Sequence, residues 1–202
     1  MQKARIAVMG GTFDPIHYGH LVTAEAAMQE YSLERVLFIP SGRPPHKTDK
    51  QISSTEDRYL MTELATETNP RFFCSRIEID RTGYTYTIDT IHELQVMYPE
   101  TDIYFITGAD AFSEIVTWKN AEELLNSCHF VAATRPGYSR KEAIPQIEAL
   151  LNRHTERLHY LEVPALSISS SDIRERVRQG RTIKYLLPEA VETYILKHEL
   201  YR

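Results

Sequence analysis

The sequence predicts an α/β protein with a doubly wound parallel sheet and a helical C-terminal part. Short apolar runs rich in β-branched and aromatic residues alternate with segments whose apolar residues recur at helical spacing. Small polar motifs directly follow several of these runs, at the edge where such sheets bind ligands. With 202 residues, 42% of them hydrophobic, the chain can bury one core, and we expect a single domain over residues 1–202.

The alternation defines six strands and the helices between them. The runs expected to be strands are residues 6–8, 36–39, 72–79, 103–106, 130–133 and 158–163. Helical spacing relates Leu21, Ala24, Met28 and Tyr31, then Leu60 and Leu64, then Ile88, Ile91 and Leu94. After Ser170 only helical patterns follow, with Ile173 and Val177 on a short helix and Ala190, Tyr194 and Leu200 near the end.

Composition and charge argue against two classes of binding partner, nucleic acids and membranes. A net charge of −5 argues against general binding to nucleic acid, which needs an extended basic face. Cys74 and Cys128 stand alone, as expected of reduced thiols in a cytoplasmic protein. The apolar run at residues 6–9 is too short for a signal peptide, and no later run is long enough to span a membrane. We expect a soluble cytoplasmic protein without membrane or nucleic-acid partners; its oligomeric state stays open, a homodimer included.

The first motif joins a strand to a helix through Gly10-Gly11 and then His17-Tyr18-Gly19-His20. Glycines let the backbone approach a phosphate, and a helix N-terminus offers it unpaired N–H groups. His17 and His20 can face the same way, and an anion between them would suit the helix dipole. The segment lacks the G-x-G-x-x-G and G-K-[ST] spacings, which disfavours a nicotinamide dehydrogenase and a P-loop NTPase. Two structural histidines remain the alternative, whereas a zinc pair lacks a third ligand.

A second helix start carries Ser169-Ser170-Ser171-Asp172-Ile173-Arg174. One of these residues is expected to cap the helix, which needs only one side chain. Three consecutive hydroxyls, with an arginine in the first turn where a cation opposes the dipole, indicate a second phosphate-binding terminus. Two such termini could hold a triphosphate from both sides.

Residues 10–20 and 169–174 together resemble the two signatures of the nucleotidylyltransferase superfamily, which implies a Rossmann-like fold. Within it, residues 44–47, 84–89 and 108–112, together with Trp118-Lys119, are similar to bacterial nicotinate-nucleotide adenylyltransferases. The similarity extends from Arg5 to near the C-terminus. Ser171 stands where the family often has threonine, which keeps the hydroxyl.

The resemblance implies an adenylyltransferase of NAD biosynthesis. The 5′-phosphate of nicotinate mononucleotide would attack the α-phosphorus of ATP, giving nicotinate adenine dinucleotide (deamido-NAD) and pyrophosphate. The attacking phosphate is already anionic near neutral pH, so alignment and charge neutralisation would supply the catalysis without an enzyme nucleophile. Mg²⁺ is the expected cofactor, bound mainly through the ATP phosphates rather than at a protein metal site.

The resemblance also implies roles for individual residues. The catalytic set is His17, His20, Lys47 and Arg174. ATP would be bound by the same two histidines and Arg174, with Gly10, Gly11, Thr12, Phe13, Gly108, Asp110, Ser169, Ser170 and Ser171. Nicotinate mononucleotide would be bound by Thr12, Lys47, Thr85, Tyr86, Trp118 and Arg135. Simpler interpretations exist for three of them: Asp110 as a solvated loop acid, Trp118 as core and Arg135 as a cap of the fifth strand.

Two competing functions are less consistent with these residues. Phosphopantetheine adenylyltransferases share the first motif, but their shorter chains are not expected to combine residues 44–47, Trp118 and the motif at Ser169. A nucleotide-binding regulator that has lost its chemistry would be expected to lack a histidine or a basic residue of the catalytic set. This chain retains all of them.

Overall fold

The computed structural model describes residues 3–44, 52–134, 155–164 and 166–202. Its strands are β1 (Ala4–Gly11), β2 (Arg35–Pro40), β3 (Phe72–Cys74), β4 (Thr101–Gly108), β5 (His129–Thr134) and β6 (Leu158–Glu162). The helices are α1 (Tyr18–Glu30), α2 (Thr55–Thr66), α3 (Thr87–Met97), α4 (Ala109–Ser113), α5 (Ala121–Ser127), α6 (Ser170–Arg178) and α7 (Glu189–Lys197). Short 3₁₀ turns lie at Ile115–Thr117 and Thr155–Arg157.

The strands form one six-stranded sheet in the order β3-β2-β1-β4-β5-β6. Every neighbouring pair is parallel, so the predicted doubly wound fold is confirmed. The strand order reverses between β1 and β4, and parallel sheets of this kind bind ligands outside the carboxyl ends of the strands at such a reversal. Gly11 and Gly108 end these two central strands, which places the first glycine motif and the fourth-strand motif side by side.

Alternate residues of each strand face opposite sides of the sheet and build two cores. Met9 of β1 and Met28 of α1 belong to the first, which lies under α1, α2, α6 and α7. Val8 of β1 and Ile91 of α3 belong to the second, under α3, α4 and α5. Burying one such side chain contributes about 1.5–3 kcal/mol, so both layers hold the central strands in place.

The third strand is shorter than the sequence predicts. It ends at Cys74, and the run up to residue 79 leaves the sheet in a turn in which the Asp80 N–H donates to the Arg76 carbonyl, 2.9 Å. Within this turn the side chain of Glu78 is buried. A buried carboxyl needs polar partners. Glu78 therefore lies in this turn, beside such partners, and not in the strand.

The C-terminal part is helical, as predicted, although Leu200 lies beyond the end of α7 at Lys197. α7 packs on the first core through Val191 and Ile195. Among the described residues, no helix combines the length and the apolar character that crossing a membrane requires.

Candidate active site

Two neighbouring pockets open at the carboxyl edge of the sheet. The first, which we call the histidine pocket, has a volume of about 520 Å³. It is lined by Met9, Gly10, His17, Gly19, His20, Thr23, Ile106, Thr107, Gly108, Ala109, Ala111, Ala133, Thr134, Val163, Pro164, Leu166 and Ile168. The second, the tryptophan pocket, has a volume of about 260 Å³. It is lined by Gly10, Gly11, Thr12, Ser41, Pro44, Glu78, Thr85, Tyr86, Thr87, Phe105, Thr107, Ala111, Trp118 and Lys119.

The two pockets share a wall at the point where the strand order reverses. Gly10 of β1, Thr107 of β4 and Ala111 of α4 line both of them. Small side chains on a common wall let groups held in one pocket approach groups held in the other. The site can therefore bring two ligands together over β1 and β4.

The two histidines of the first motif stack on each other. His17 is the residue before α1 and His20 lies in its first turn, with their ring centroids 3.8 Å apart and the ring planes at 26°. The backbone N–H of His17 donates to Nδ1 of His20, 3.2 Å. Since Nδ1 of a neutral His20 is the acceptor, its ring hydrogen lies on Nε2. The pair can thus present a donor to the histidine pocket.

Both histidines are neutral in this environment. Burial lowers the pKa of His17 from 6.5 to about 4. Burial, followed by the charge of His17, holds the pKa of His20 well below its ordinary value. Placed at the N-terminus of a helix, where the dipole disfavours cations, they act as neutral donors until an anion approaches. A bound phosphate would raise both pKa values.

Glycine is required between the histidines. A Cβ on Gly19 would lie 2.9 Å from the ring of His17, closer than ordinary packing allows. Below them, Phe13 is buried with φ of +50° and meets the ring of His20 edge-on, with centroids 5.1 Å apart. Its side chain supports His20, so any contact of Phe13 with ATP would come from its backbone.

The three serines of the second motif have different partners. Oγ of Ser169 accepts the Asp172 N–H at 3.1 Å and caps α6, which is the simpler role the sequence allowed. Ser170 donates to the Pro15 carbonyl, 2.8 Å, and so ties α6 to the first motif. Ser171 accepts from Arg174, 3.3 Å.

Arg174 joins the two motifs more directly. One of its nitrogens donates to the Asp14 carbonyl, 2.7 Å, in addition to the contact with Ser171. A guanidinium has five N–H donors, more than these contacts use. The start of α6 is therefore fixed against the loop that precedes His17, with a cation between them.

The tryptophan pocket places an aromatic ring opposite polar groups. Trp118 packs edge-on against Phe105, with centroids 6.0 Å apart and the planes at 87°. Thr85 is 5% exposed, its N–H donates to the Arg43 carbonyl at 3.0 Å, and within the described residues its Oγ1 has no well-formed hydrogen bond. An aromatic plane beside a buried donor suits a flat ring that carries a polar substituent.

The edge of this pocket carries Lys119, a cation that belongs to a segment of the family resemblance but to which the sequence gave no role. Nζ of Lys119 lies 4.4 Å from the ring centroid of Tyr86 and 3.1 Å from the Asp89 carboxylate. Tyr86 is the residue before α3. Tyr86 lines the pocket beside Lys119, and its role in binding substrate stays a prediction.

Sequence reasoning also missed Glu78, an acid inside the tryptophan pocket. Burial raises its pKa, and the Thr90 hydroxyl, which donates to it at 2.8 Å, is the largest influence that opposes this shift. A Cβ on Gly42 would lie 2.1 Å from the Glu78 carbonyl, so glycine is required there. The available signal was an acid within the otherwise apolar run at residues 72–79.

The structure does not reach every residue predicted for the site. Lys47 and Arg135 lie outside the described residues, and the side chain of Asp110 is likewise not described. Gly108 lines the histidine pocket, where a Cβ on it would meet no atom within 4 Å, and Thr12 lines the tryptophan pocket. Within the described part of the chain, no group of three or more His, Cys, Asp or Glu side chains is arranged to hold a metal ion.

Comparisons with known proteins agree with this architecture. The family model described as cytidylyltransferase-like matches residues 8–176. A probable nicotinate-nucleotide adenylyltransferase of Moorella thermoacetica is 58% identical, with 100% of this chain and 93% of the relative covered. One of Thermoanaerobacter sp. (strain X514) is 56% identical, with 100% and 96% covered.

A solved structure shows the likeness of fold at low identity. The nicotinic acid mononucleotide adenylyltransferase of Plasmodium falciparum complexed with NaAD superposes with a TM-score of 0.80 at 22% identity. The match covers 98% of this chain and 97% of that chain. At this identity the likeness shows the arrangement of strands and helices.

Proposed function

We infer that this chain, which belongs to the cytidylyltransferase-like family, is a nicotinate-nucleotide adenylyltransferase. It transfers the adenylyl group of ATP to nicotinate mononucleotide, giving nicotinate adenine dinucleotide and pyrophosphate in NAD biosynthesis. The observation that carries this function is the pair of pockets with a common wall at Gly10, Thr107 and Ala111. A reaction that joins two nucleotides needs two sites that meet at the reacting atoms.

The histidine pocket is the proposed site of ATP. Its phosphates would receive the Nε2–H of His20, backbone N–H groups of the turn and the positive ends of α1 and α6. Arg174 would add a fixed cation between the two helices. Charge that develops on the leaving pyrophosphate would be stabilised by groups already in place, which is the largest source of catalysis in reactions of this kind.

The tryptophan pocket is the proposed site of the pyridine ring. Trp118 would stack on the ring, and the Thr85 hydroxyl with nearby backbone N–H groups would donate to the nicotinate carboxylate. Lys119 at the edge would offset part of the substrate's negative charge. The 5′-phosphate would then point toward the common wall, in line with the α-phosphorus held in the histidine pocket.

Mg²⁺ is proposed to enter with ATP. None of the described residues lining the histidine pocket contributes a carboxylate, so the donor set fits a cation held mainly by phosphate oxygens. When bound, the ion would supply charge neutralisation of the triphosphate. His17, His20 and Arg174 orient the phosphates. Lys47, Asp110 and Arg135 keep the substrate-binding roles predicted from the sequence.

The proposed function is tested by profiling acceptors with purified protein. Pyrophosphate release is measured with ATP and, in parallel, nicotinate mononucleotide, nicotinamide mononucleotide and phosphopantetheine. The expected result is the highest kcat/KM with nicotinate mononucleotide, formation of the dinucleotide in equal amount to pyrophosphate, and no release with phosphopantetheine. Turnover with phosphopantetheine alone, or none with any acceptor, would remove the assignment.

A further inference from the structure

Arg58 is a cation in an unfavourable position that the reaction itself does not explain. It lies in the first turn of α2, where the helix dipole opposes positive charge, and it is only 2% exposed. Burial lowers its pKa, and the nearby Asp14 carboxylate, the largest of the opposing influences, raises it. A buried charge of this kind is retained only where the surrounding groups satisfy it.

The guanidinium is satisfied by backbone carbonyls from three separate segments. It donates to the Thr12 carbonyl at 2.9 Å and to the Ser41 carbonyl at 2.7 Å. It also donates to the Ser53 carbonyl at 3.2 Å and toward the Gly42 carbonyl at 3.4 Å. Thr12 follows β1, Ser41 and Gly42 follow β2, and Ser53 precedes α2. One side chain therefore connects three loops, which follow β1, follow β2 and precede α2.

Two of these loops form a wall of the tryptophan pocket. Thr12 and Ser41 both line it, and Gly42 contacts Glu78 and Thr85 on the same side. The Ser41 N–H also donates to the Gly11 carbonyl at 2.8 Å, which joins the two loops beside the guanidinium. The distance between the β1 loop and the β2 loop thus depends on the forked guanidinium of Arg58, which donates to carbonyls of both loops.

The carboxylate of Asp14, which faces Arg58, connects these loops to the first motif. Asp14 accepts from the Tyr201 hydroxyl at 2.7 Å and from the Ser53 N–H at 3.4 Å, while its carbonyl accepts from Arg174. Asp14 is buried beside the guanidinium. The geometry of the fork is specific to arginine, because a lysine ammonium is a point donor that cannot reach several carbonyls in one plane.

We propose that Arg58 is a positioning residue that holds the β1 and β2 loops at the separation the pyridine nucleotide needs. The proposal rests on the function assigned above to the tryptophan pocket. Arg58 does not line either pocket and acts through Thr12, Ser41 and Gly42. Its loss should therefore weaken binding of nicotinate mononucleotide much more than binding of ATP. A residue that only stabilises the fold would weaken both equally or neither.

The variant Arg58→Lys keeps the charge and removes the fork, and Arg71→Lys, at an exposed site, is the matched control. Binding of nicotinate mononucleotide is followed by the fluorescence of Trp118, the chain's one tryptophan. Binding of α,β-methylene-ATP is followed by calorimetry. We expect the dissociation constant for nicotinate mononucleotide to rise about tenfold or more, since small misplacements of binding groups are costly. The ATP analogue should change less than about threefold, and Arg71→Lys should match wild type.

Hydrogen exchange provides a measurement without ligand. The amides of Ser41 and Thr85, which donate to Gly11 and Arg43 across the wall, should exchange faster in Arg58→Lys and unchanged in Arg71→Lys. Wild-type protein that binds no nicotinate mononucleotide would refute the proposed function. Unchanged exchange at Ser41 and Thr85 would refute the role of Arg58 whatever the wild type binds, so the two failures are distinct.

Rescue by guanidinium distinguishes positioning from general stability. Added guanidinium at low concentration should restore binding of nicotinate mononucleotide to Arg58→Ala by occupying the space between the loops. Equal losses for both ligands in Arg58→Lys would contradict the proposal. If Arg58→Lys does not fold, Arg58→Gln is measured in its place, and failure of both to fold would assign Arg58 to stability alone.

Discussion

The histidine pocket and the tryptophan pocket are built in different ways. The main polar groups of the first are His17 and His20, from one continuous stretch at the start of α1, to which the hydrogen bonds of Ser170 and Arg174 tie the start of α6. Those of the second come from separate segments, including Thr12, Ser41, Thr85 and Trp118. Short motifs can therefore specify the first pocket, whereas the second exists only once the fold has brought its segments together.

The difference predicts how each pocket responds to substitution. Groups at a helix start are fixed by the helix itself, so a change there should affect chemistry with little loss elsewhere. Walls assembled from loops depend on supporting residues such as Arg58, and substrate choice should be more sensitive to distant changes.

The largest effect is expected for His20→Ala, which removes a donor that serves the transition state. Loss of one such donor typically lowers kcat by about 10²–10³. The change also removes the acceptor of the His17 N–H, so a loss of about 1 kcal/mol in unfolding free energy should accompany it. Steady-state turnover and urea unfolding are measured together.

Two variants control for these contributions. His20→Asn can keep an acceptor for the His17 N–H without the imidazole, and should be as inactive but more stable than His20→Ala. His92→Ala, at an exposed histidine paired with Glu123, should retain wild-type turnover. Near-normal kcat in His20→Ala would show that the pair has a structural role only.

A second effect concerns pH and tests the neutral histidine pair. The pKa of His17 is lowered from 6.5 to about 4 in the folded chain. Between these pH values His17 is therefore protonated in the unfolded chain and neutral in the folded chain. The contribution of His17 to the free energy of unfolding is fully present above pH 6.5 and is lost as the pH falls toward 4. A lowering of this size corresponds to about 3 kcal/mol of unfolding free energy.

This prediction is checked by urea unfolding from pH 7 to pH 4 in wild type, His17→Asn and His92→Ala. The wild type and His92→Ala should lose stability more steeply than His17→Asn over this range. ATP should reduce the loss, because its phosphates favour the protonated imidazole. Parallel curves for wild type and His17→Asn would mean that His17 titrates normally.

The third effect is on acceptor choice in the tryptophan pocket. Thr85→Val keeps the shape of the side chain and removes the hydroxyl that we propose donates to the nicotinate carboxylate. A buried polar contact of this kind contributes about 1–3 kcal/mol to selectivity. The kcat/KM ratio of nicotinate to nicotinamide mononucleotide should fall accordingly, by roughly tenfold to a hundredfold. Thr23→Val, on the wall of the histidine pocket, should leave that ratio unchanged.

The smallest effect is expected for Trp118→Ala. Stacking on an aromatic ring contributes about 0.5–1.5 kcal/mol, and both pyridines can stack. KM should rise by roughly threefold to tenfold for the two mononucleotides alike, with Trp118→Phe close to wild type. A change in the ratio of the two substrates would assign Trp118 a part in selectivity that the geometry does not give it.

The sequence predicted the fold and the histidine pocket more completely than the tryptophan pocket. Alternating apolar runs predicted all six strands, because buried parallel strands are continuous in sequence. The spacing of His17 and His20 at a helix start predicted that they can face the same way, and the structure adds that their rings stack. Their low pKa values could not be predicted, because these depend on burial, which only the packed structure determines.

Residues that act across the fold were not predicted. The burial and the contacts of Arg58 could not be predicted from the sequence. An arginine in a helix is usually exposed, and the carbonyl partners of Arg58 lie in distant segments of the chain. Glu78 was assigned to a strand because its neighbours are apolar, but β3 ends at Cys74 and Glu78 lies in the turn that follows, where it accepts from Thr90. Thr85 and Trp118 came from the family resemblance rather than from spacing.

The central claim is that the common wall at Gly10, Thr107 and Ala111 is where one nucleotide attacks the other. It is tested most directly by following the fate of labelled ATP with wild-type protein, Mg²⁺ and nicotinate mononucleotide. Label at the α-phosphorus should appear in the dinucleotide and label at the γ-phosphorus in pyrophosphate, with no label left on the protein. Label at the α-phosphorus found on the protein, or released as AMP without dinucleotide, would contradict direct transfer between the two pockets.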